Sequence, residues 1–376
     1  MTTDHIRLGA LGWANLRGQG PQLSGERGAR RPLVMVSGHM RVFAESEAWQ
    51  SRLHRSWERL LGSDQLHVAL HTWRSVWSAD PSWHGHHSND APKLGDVAQL
   101  LRNSTLDRSL LLYEVEDERG ATIQHADTLL VGRHCGTVAD LNAMHAVTSS
   151  VYAQWHALRR LLHLIRRWEQ VTGRRLPPHQ IVLKTRPDAL ATFAPSAFGL
   201  APSQMAEAIR SQPLTAYVTN GWHELGVSDI SFVTSLVALR KLSSAFDACF
   251  VRLSESGALP CILQAIPEIV LRLFMDAVGI KIQRGAFQLL WCHTTPRNQS
   301  NPQPPDCFFA NDHVIAHRGP FHMSTRKART VVQECVAQSE DRLKVEGMAK
   351  APAWATRWLP PWINPFTQER SLRPQV

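Results

Sequence analysis

The chain has 376 residues, of which 43% are hydrophobic and 19% are charged. This composition is typical of a globular protein with a buried core, and it excludes disordered, collagenous and coiled-coil chains. The 41 lysines and arginines outnumber the 32 acidic residues, so a net charge of +9 favours anionic or phosphate-bearing partners.

Residues 1–31 are interpreted as a basic N-terminal arm, because they carry five arginines and no continuous apolar segment of the kind found in secretory signals. No apolar run in the chain approaches the roughly 18 residues that cross a bilayer. The six cysteines are scattered without Cys-x-x-Cys pairs, so neither a disulfide framework nor a zinc ribbon is indicated. A reducing, cytoplasmic setting is therefore expected.

After the arm, the hydrophobic pattern alternates between strands and helices. Short apolar runs predict strands over 33–36, 67–73, 110–115, 181–184 and 214–218. Spacings of three and four residues predict helices over 43–61, 151–172, 235–250 and 267–279, the second of them capped by Ser149 or Ser150. This alternation is typical of an α/β protein with a mostly parallel, twisted sheet. Beyond residue 295, frequent Pro, Asn, Arg and Trp predict an irregular C-terminal extension over 295–376.

A charged motif follows the apolar strand 181–184. Pro187 cannot donate to a strand ladder, so Arg186 and Asp188 are expected at the carboxyl edge of the strand. Ligands of open α/β sheets bind at that edge. An arginine can hold a phosphate in a bidentate fork, and an aspartate can bind a sugar hydroxyl or a divalent metal. An ion pair that fastens a loop explains the same two residues equally well.

Several short segments resemble, in their order along the chain, a group of bacterial glycosyltransferases of the GT-A type. They are Val34–Arg41, His67–Trp73, Tyr152 with Gln154, Thr185–Asp188, Ser228–Phe232 and Pro267–Glu268. The resemblance covers about residues 32–290 and implies a GT-A-like α/β domain over 32–294. It also implies a nucleotide-diphospho-sugar donor, a glycan or lipid-linked acceptor, and a role in bacterial surface polysaccharide synthesis.

The resemblance also implies site residues. The donor and its nucleotide would lie against Ser37, Gly38, Arg41, Trp73, Gln154, Arg186 and Asp188. A glycine lets the backbone approach a ligand, although Gly38 is also explained by an ordinary tight turn. Trp73 could stack on a base or sugar, and it could equally be a core tryptophan.

Glycosyl transfer with inversion needs a carboxylate that takes the proton of the acceptor hydroxyl. Asp229 and Glu268 are the candidates, because each stands at a matched position of the family. Glu268 has a second explanation, since an acidic residue in the first turn of a helix interacts favourably with the helix dipole.

The sequence departs from the GT-A pattern at the metal site. Such enzymes commonly place Asp-x-Asp after the central strand to hold Mn²⁺ or Mg²⁺, whereas this chain has Arg186, Pro187 and Asp188. Two interpretations stay open. Asp188 binds the metal with help from elsewhere, for example Asp229, or Arg186 supplies the positive charge in its place.

Two further segments carry residues of possible functional interest. A zinc site in the histidine-rich loop matches no known ligand spacing, so a lid or acceptor loop is preferred there; its residues are His84, His86, His87 and Asp90. The C-terminal tail carries Trp354, Trp358, Trp362 and Phe366 at four-residue intervals. These aromatic residues suit peripheral contact with the inner face of the membrane, and a strap packed on the domain explains them as well.

Two other function classes compete with the transferase. One is a non-catalytic protein that binds sugar nucleotides or anionic glycans, and the other is a basic adaptor for nucleic acid or membrane. No recognisable nucleic-acid module accompanies the basic residues, so nucleic acid is not expected as a partner.

Overall fold

The structure is a computed structural model that describes residues 31–38, 40, 47–73, 110–116, 138–193, 201–219, 225–260, 263, 266–285, 287–293, 306–309 and 320–345. The strands of these segments are β1 (Leu33–Ser37), β2 (His67–Trp73), β3 (Leu110–Glu116), β4 (Ile181–Thr185), β5 (Ala189–Phe193), β6 (Thr215–Val218), β7 (Phe232–Ser235), β8 (Lys281–Arg284), β9 (Phe287–His293) and β10 (Asp306–Phe309). The helices are α1 (Glu47–Leu61), α2 (Val138–Thr172), α3 (Pro202–Ser211), α4 (Leu236–Glu255), α5 (Pro267–Ala277) and α6 (Pro320–Val345).

The main sheet confirms an α/β protein with a mostly parallel sheet. Its seven strands are ordered β3-β2-β1-β4-β7-β6-β8. The first four are mutually parallel, β7 runs antiparallel to both β4 and β6, and β8 is parallel to β6. Strands β10, β9 and β5 form a smaller antiparallel sheet. The carboxyl ends of β1, β2, β3 and β4 therefore meet at one edge of the main sheet.

Hydrophobic cores cover both faces of the sheet, as the continuous apolar strands predict. On one face Val182 of β4 belongs to a core with α2, α4, α5 and α6. On the other face Ile181 and Leu183 pack with α1 and α3. Because side chains alternate along a strand, Lys184 shares the face of Val182, where α2 and α5 lie.

In helix α1 the spacing of apolar residues determines which face is buried. Trp49, Leu53, Trp57 and Leu60 recur at steps of four, four and three residues, and all four are buried. The described part of this helix begins at Glu47, within the predicted span of 43–61. The indole of Trp49 donates a hydrogen bond of 2.9 Å to the carbonyl of Pro187, so this helix also fixes the chain that follows β4.

The predicted start of α2 is wrong. The helix begins at Val138 and runs for 35 residues, so Ser149 and Ser150 lie inside it and not at its start. The segment before the serines contains several alanines, a leucine and a methionine, which are strong helix formers. The helix therefore continues through two residues that more often mark a helix start.

The description of 295–376 as irregular is also wrong for residues 320–345, which form α6. This helix buries Ala328, Val332 and Val336 in the core shared with α4 and α5. Cys335 of α6 is disulfide-bonded to Cys249 of α4, with their Cα atoms 6.0 Å apart and a separation of 86 positions in sequence. Helix packing brings these cysteines together, and their spacing in the sequence gave no indication of it.

Within the described segments, no helix is long and apolar enough to cross a membrane.

Candidate functional site

The edge at the carboxyl ends of β1, β2 and β4 holds part of the predicted donor site. The amide of Gly38 donates to the carbonyl of His71, and the Thr72 hydroxyl donates to the carbonyl of Gly38, at 3.3 and 2.9 Å. Gly38 has a φ of +133°, a backbone conformation that residues with a Cβ atom rarely adopt. Ser37 is buried beside it. The turn after β1 is thus fixed against the end of β2.

The Arg186–Asp188 motif forms a closed ion pair. Arg186 Nε donates to Asp188 Oδ1 at 2.9 Å, and its Nη2 donates to Oδ2 at 2.8 Å. The Asp188 side chain is only 1% exposed, whereas that of Arg186 is 21% exposed. Both carboxylate oxygens therefore accept a hydrogen bond from the guanidinium group, and the pair fastens the turn after β4.

Lys184, the fourth residue of β4, is a buried cation beside this pair. Its Nζ donates a hydrogen bond of 2.5 Å to the main-chain carbonyl of Asp229. Burial lowers the pKa of Lys184 to about 8, an effect that the charge of Asp229 opposes. The ammonium form thus persists at neutral pH in a site that water hardly reaches.

The loop that carries Asp229 is fastened to its surroundings at several points. The hydroxyls of Thr185 and Ser231 share a hydrogen bond of 2.6 Å. The Arg284 guanidinium donates to the carbonyl of Gly226 at 2.5 Å. A Cβ at Gly226 would lie 2.7 Å from Cβ of Glu268, so only glycine permits this approach of the loop to α5. The backbone near Asp229 is consequently held in one position.

Glu268 stands in the first turn of α5, after Pro267. Its side chain is buried, and its carbonyl accepts a hydrogen bond of 3.1 Å from the amide of Val227. Burial, followed by the negative charge of Asp229, raises the pKa of Glu268 to about 8. Glu268 is therefore mostly protonated at pH 7, and its conjugate base is stronger than an ordinary carboxylate.

A small pocket opens between β4, the Asp229 loop, α2 and α5. Its lining residues are Gln154, Trp155, Leu158, Lys184, Asp229, Phe232, Pro267 and Leu271. The cavity measures about 20 Å³, which is room for about one water molecule. Gln154, Lys184 and Asp229 thus line one small space together with apolar residues.

The structure brings most of the predicted residues into one neighbourhood. Gln154 and Asp229 line the same pocket, and Glu268 lies close enough to Asp229 for their charges to interact. Arg186 and Asp188 both influence the charge of Lys184. Sequence reasoning missed Lys184 itself. Its position could have indicated it, because a lysine within an apolar strand that is covered on both faces must be buried.

Trp73 is buried away from this pocket. Its ring lies 4.9 Å from that of His71 and is stacked at 6.0 Å on that of His156. The neighbouring Glu114 of β3 accepts hydrogen bonds from Arg160 of α2. Trp73 is 3% exposed, so the described surroundings match its interpretation as a core residue. Arg41 and the histidine-rich loop lie outside the described residues.

The residues around Asp188 do not fit the predicted Mn²⁺ or Mg²⁺. A divalent cation needs carboxylate oxygens that it can reach, whereas the Asp188 side chain is 1% exposed and both of its oxygens face the positive charge of Arg186. In the described segments, no group of three or more His, Cys, Asp or Glu side chains is placed to hold a metal. A metal at Asp229 would lie close to the Lys184 ammonium.

Comparisons with known proteins add no family to this description. No protein-family model matches the chain, and a search of curated proteins finds no significant match. The function must therefore be argued from the geometry. What that geometry contains is a buried acid with a raised pKa, a second carboxyl group beside it, and a buried cation in contact with the same loop.

Proposed function

We propose that this protein is a glycosyltransferase of GT-A-like fold that moves a sugar from a nucleotide-diphospho-sugar to a hydroxyl group of a glycan or other acceptor. The observation that carries the proposal is the pair Asp229 and Glu268, both buried and close enough for their charges to interact, with Asp229 lining a pocket near the carboxyl edge of the parallel strands. Ionisable groups with strongly shifted pKa values concentrate at functional sites.

The two carboxyl groups suit the proton transfer of this reaction. As the bond from the donor sugar to the diphosphate breaks, its electron pair leaves with the diphosphate oxygen. The acceptor oxygen forms the new bond to the sugar, and its proton passes to a carboxylate. A base with a pKa near the working pH is the most effective, and Glu268 meets this condition. Asp229, which lines the pocket, would orient the acceptor hydroxyl.

The donor side of the proposal rests on the strand ends. The turn at Gly38 leaves the backbone free of a side chain beside Pro187 and Arg186, whose nearest atoms would lie 3.5 and 3.8 Å from a Cβ at that position. Partly exposed Arg186 adds positive charge at the same edge. Ligands of open α/β sheets bind in such crevices.

The test is a thermal-shift screen of the purified full chain against UDP-, GDP-, CMP- and dTDP-sugars. A ligand that binds only the folded state stabilises it by about 2.7 kcal/mol at a hundredfold excess over its dissociation constant. We expect one nucleotide family to raise the melting temperature and its sugar to be released or transferred on incubation. If no sugar nucleotide shifts the melting temperature, the proposal is wrong.

A non-catalytic sugar-nucleotide binding protein is the second candidate. It is favoured by the closed Arg186–Asp188 pair, which stands where an Asp-x-Asp metal site is common. This candidate predicts a thermal shift with a sugar nucleotide but no transfer or hydrolysis. The aromatic residues near the C-terminus lie outside the described residues, so membrane contact and a lipid-linked acceptor stay predictions, as does a cytoplasmic location.

A further inference from the structure

A set of basic side chains lies at the edge of the main sheet where β1 and β4 begin, opposite the pocket. Helix α2 ends at Thr172 and the chain enters β4 at Ile181, so this end of α2 lies beside the start of β4. Helix α4 begins at the same place, because the amide of Leu236 donates to the carbonyl of Gln180 at 2.9 Å. The exposed basic residues of these segments, called the basic surface below, are Arg166, Arg167, Arg174, Arg175 and Lys241.

The basic surface is not neutralised by the acidic residue that lies next to it. Glu169 of α2 already has two other partners, since its Oε1 accepts from the amide of Leu176 at 2.9 Å and its Oε2 accepts from Arg240 at 3.0 Å. These two bonds also hold the end of α2, the segment that follows it and the start of α4 together. Within the described part of the chain, none of the five side chains of the basic surface forms an ion pair or a hydrogen bond.

A neighbouring histidine responds to this positive charge. His163 stands about one helical turn before Arg166 and Arg167 on α2. Burial lowers the pKa of His163, and the charges of Arg160, Arg166 and Arg167 lower it further against the opposing charge of Glu114. Positive charge that the protein itself leaves uncompensated favours an anionic partner.

The basic N-terminal arm joins the domain beside this surface. The side-chain amide of Gln180, the residue before β4, donates a hydrogen bond to the carbonyl of Arg31. Residues 1–30 carry four further arginines and two acidic residues. The chain that enters the domain at this edge is therefore itself basic.

We infer that the basic surface binds the anionic phospholipid head groups of a membrane by electrostatic attraction. A guanidinium group holds a phosphate in a bidentate fork, and each cation near an anionic membrane strengthens binding about fivefold. Single-stranded nucleic acid is bound by stacking on exposed aromatic side chains, whereas the one exposed large hydrophobic side chain among the described residues is Met323 of α6. The inference goes beyond the proposed function and does not depend on it.

The test is a vesicle flotation assay with the purified full chain. Vesicles of phosphatidylcholine alone are compared with vesicles that also contain phosphatidylglycerol, each at low and at high salt. The double variant Arg174→Gln with Arg175→Gln removes two charges from the basic surface. Arg326→Gln with Lys327→Gln is the matched control, because it removes the same charge from two exposed residues of α6. Circular dichroism and the melting temperature establish that each variant is folded.

We expect wild-type protein to bind the vesicles that contain phosphatidylglycerol and not those of phosphatidylcholine alone. High salt should release it, because salt screens the attraction between exposed charges. Loss of Arg174 and Arg175 should weaken binding by roughly 25-fold, and the control should bind as wild type does.

Three results would overturn the inference. Equal binding by wild type and the Arg174 and Arg175 variant would place the membrane contact elsewhere. Binding that survives high salt would indicate insertion of apolar side chains, as the aromatic residues near the C-terminus would give. No binding to the anionic vesicles would also contradict it, and fluorescence anisotropy with duplex DNA would then show whether nucleic acid is the partner.

Discussion

Two sets of charged residues meet at the end of β4, one around Arg186 and Asp188 and one around Lys184, Asp229 and Glu268. They differ in how their charges are paired. In the first group, each oxygen of Asp188 accepts a hydrogen bond from Arg186. In the second group, Lys184 contacts the main chain of Asp229, and Glu268 is buried beside them with a raised pKa. The first has the more conspicuous sequence motif, while the second contains the group with the strongly shifted pKa. A paired motif indicates a fixed turn, whereas a buried ionisable group with a strongly shifted pKa is a candidate for chemistry.

The largest expected effect is a loss of activity when the second group is mutated. We predict that Asp229→Asn lowers the turnover of the sugar nucleotide found in the screen by roughly 100-fold, the loss typical of a misplaced reacting group, because Asp229 orients the acceptor hydroxyl. The fold should be unaffected, because the hydrogen bond from Lys184 goes to the main chain of Asp229. The rate is measured with saturating donor. Full activity in Asp229→Asn would place the chemistry elsewhere.

The pH dependence of stability tests the second group alone. Glu268 has a pKa of about 8 in the folded protein and keeps its proton up to that pH, whereas the unfolded chain releases it near the ordinary pKa of 4.5. Its contribution is present below the unfolded pKa and is lost as pH rises towards 8, so wild-type stability should fall over this window. We predict that Glu268→Gln reduces this fall by roughly 2–4 kcal/mol.

Chemical denaturation at pH 5 and at pH 8 measures this effect. Glu207→Gln is the control, because Glu207 is an exposed residue of α3. An equal pH dependence in Glu268→Gln and wild type would show that the carboxyl group titrates normally.

A mutation in the first group should lower the free energy of unfolding. Asp188→Asn removes the charge that faces Arg186 and leaves a partly exposed guanidinium without its bidentate partner. Breaking a fully buried pair costs about 3–5 kcal/mol, and the 21% exposure of Arg186 reduces this estimate to roughly 2 kcal/mol. Urea denaturation at pH 7 gives the value. A free energy of unfolding equal to that of wild type would mean that the pair does not fasten the turn.

The smallest effect concerns the spacing between the Asp229 loop and α5. Gly226→Ala places a methyl group 2.7 Å from Cβ and 2.9 Å from the carbonyl carbon of Glu268, so the loop must move. Overpacking of this kind costs about 1–2 kcal/mol, and we expect a rise in KM larger than the fall in kcat. An unchanged KM would show that the position of the loop does not influence ligand binding.

Much of the fold could be predicted from the sequence, because the strands are continuous apolar runs and their order fits βαβ units. The strand end at Arg186 followed from Pro187, which cannot donate to a strand ladder. The choice of Asp229, Glu268 and Gln154 as site residues followed from a resemblance in sequence. Lys184 did not, although its place in an apolar strand was visible. The start of α2 was missed because the helix-forming residues before Ser149 outweighed the two serines. Helix α6 was missed because it is buried by packing on distant helices, which leaves no local pattern in the sequence.

The disulfide between Cys249 and Cys335 has a practical consequence for anyone who purifies this protein. In the chain-entropy model, a cross-link between residues 86 positions apart stabilises the folded state by roughly 4.5 kcal/mol. Protein made in a host that keeps thiols reduced would hold α6 by packing alone. Two preparations of one sequence could then differ in melting temperature and in resistance to proteases, so thiol titration of each batch should precede any comparison of variants.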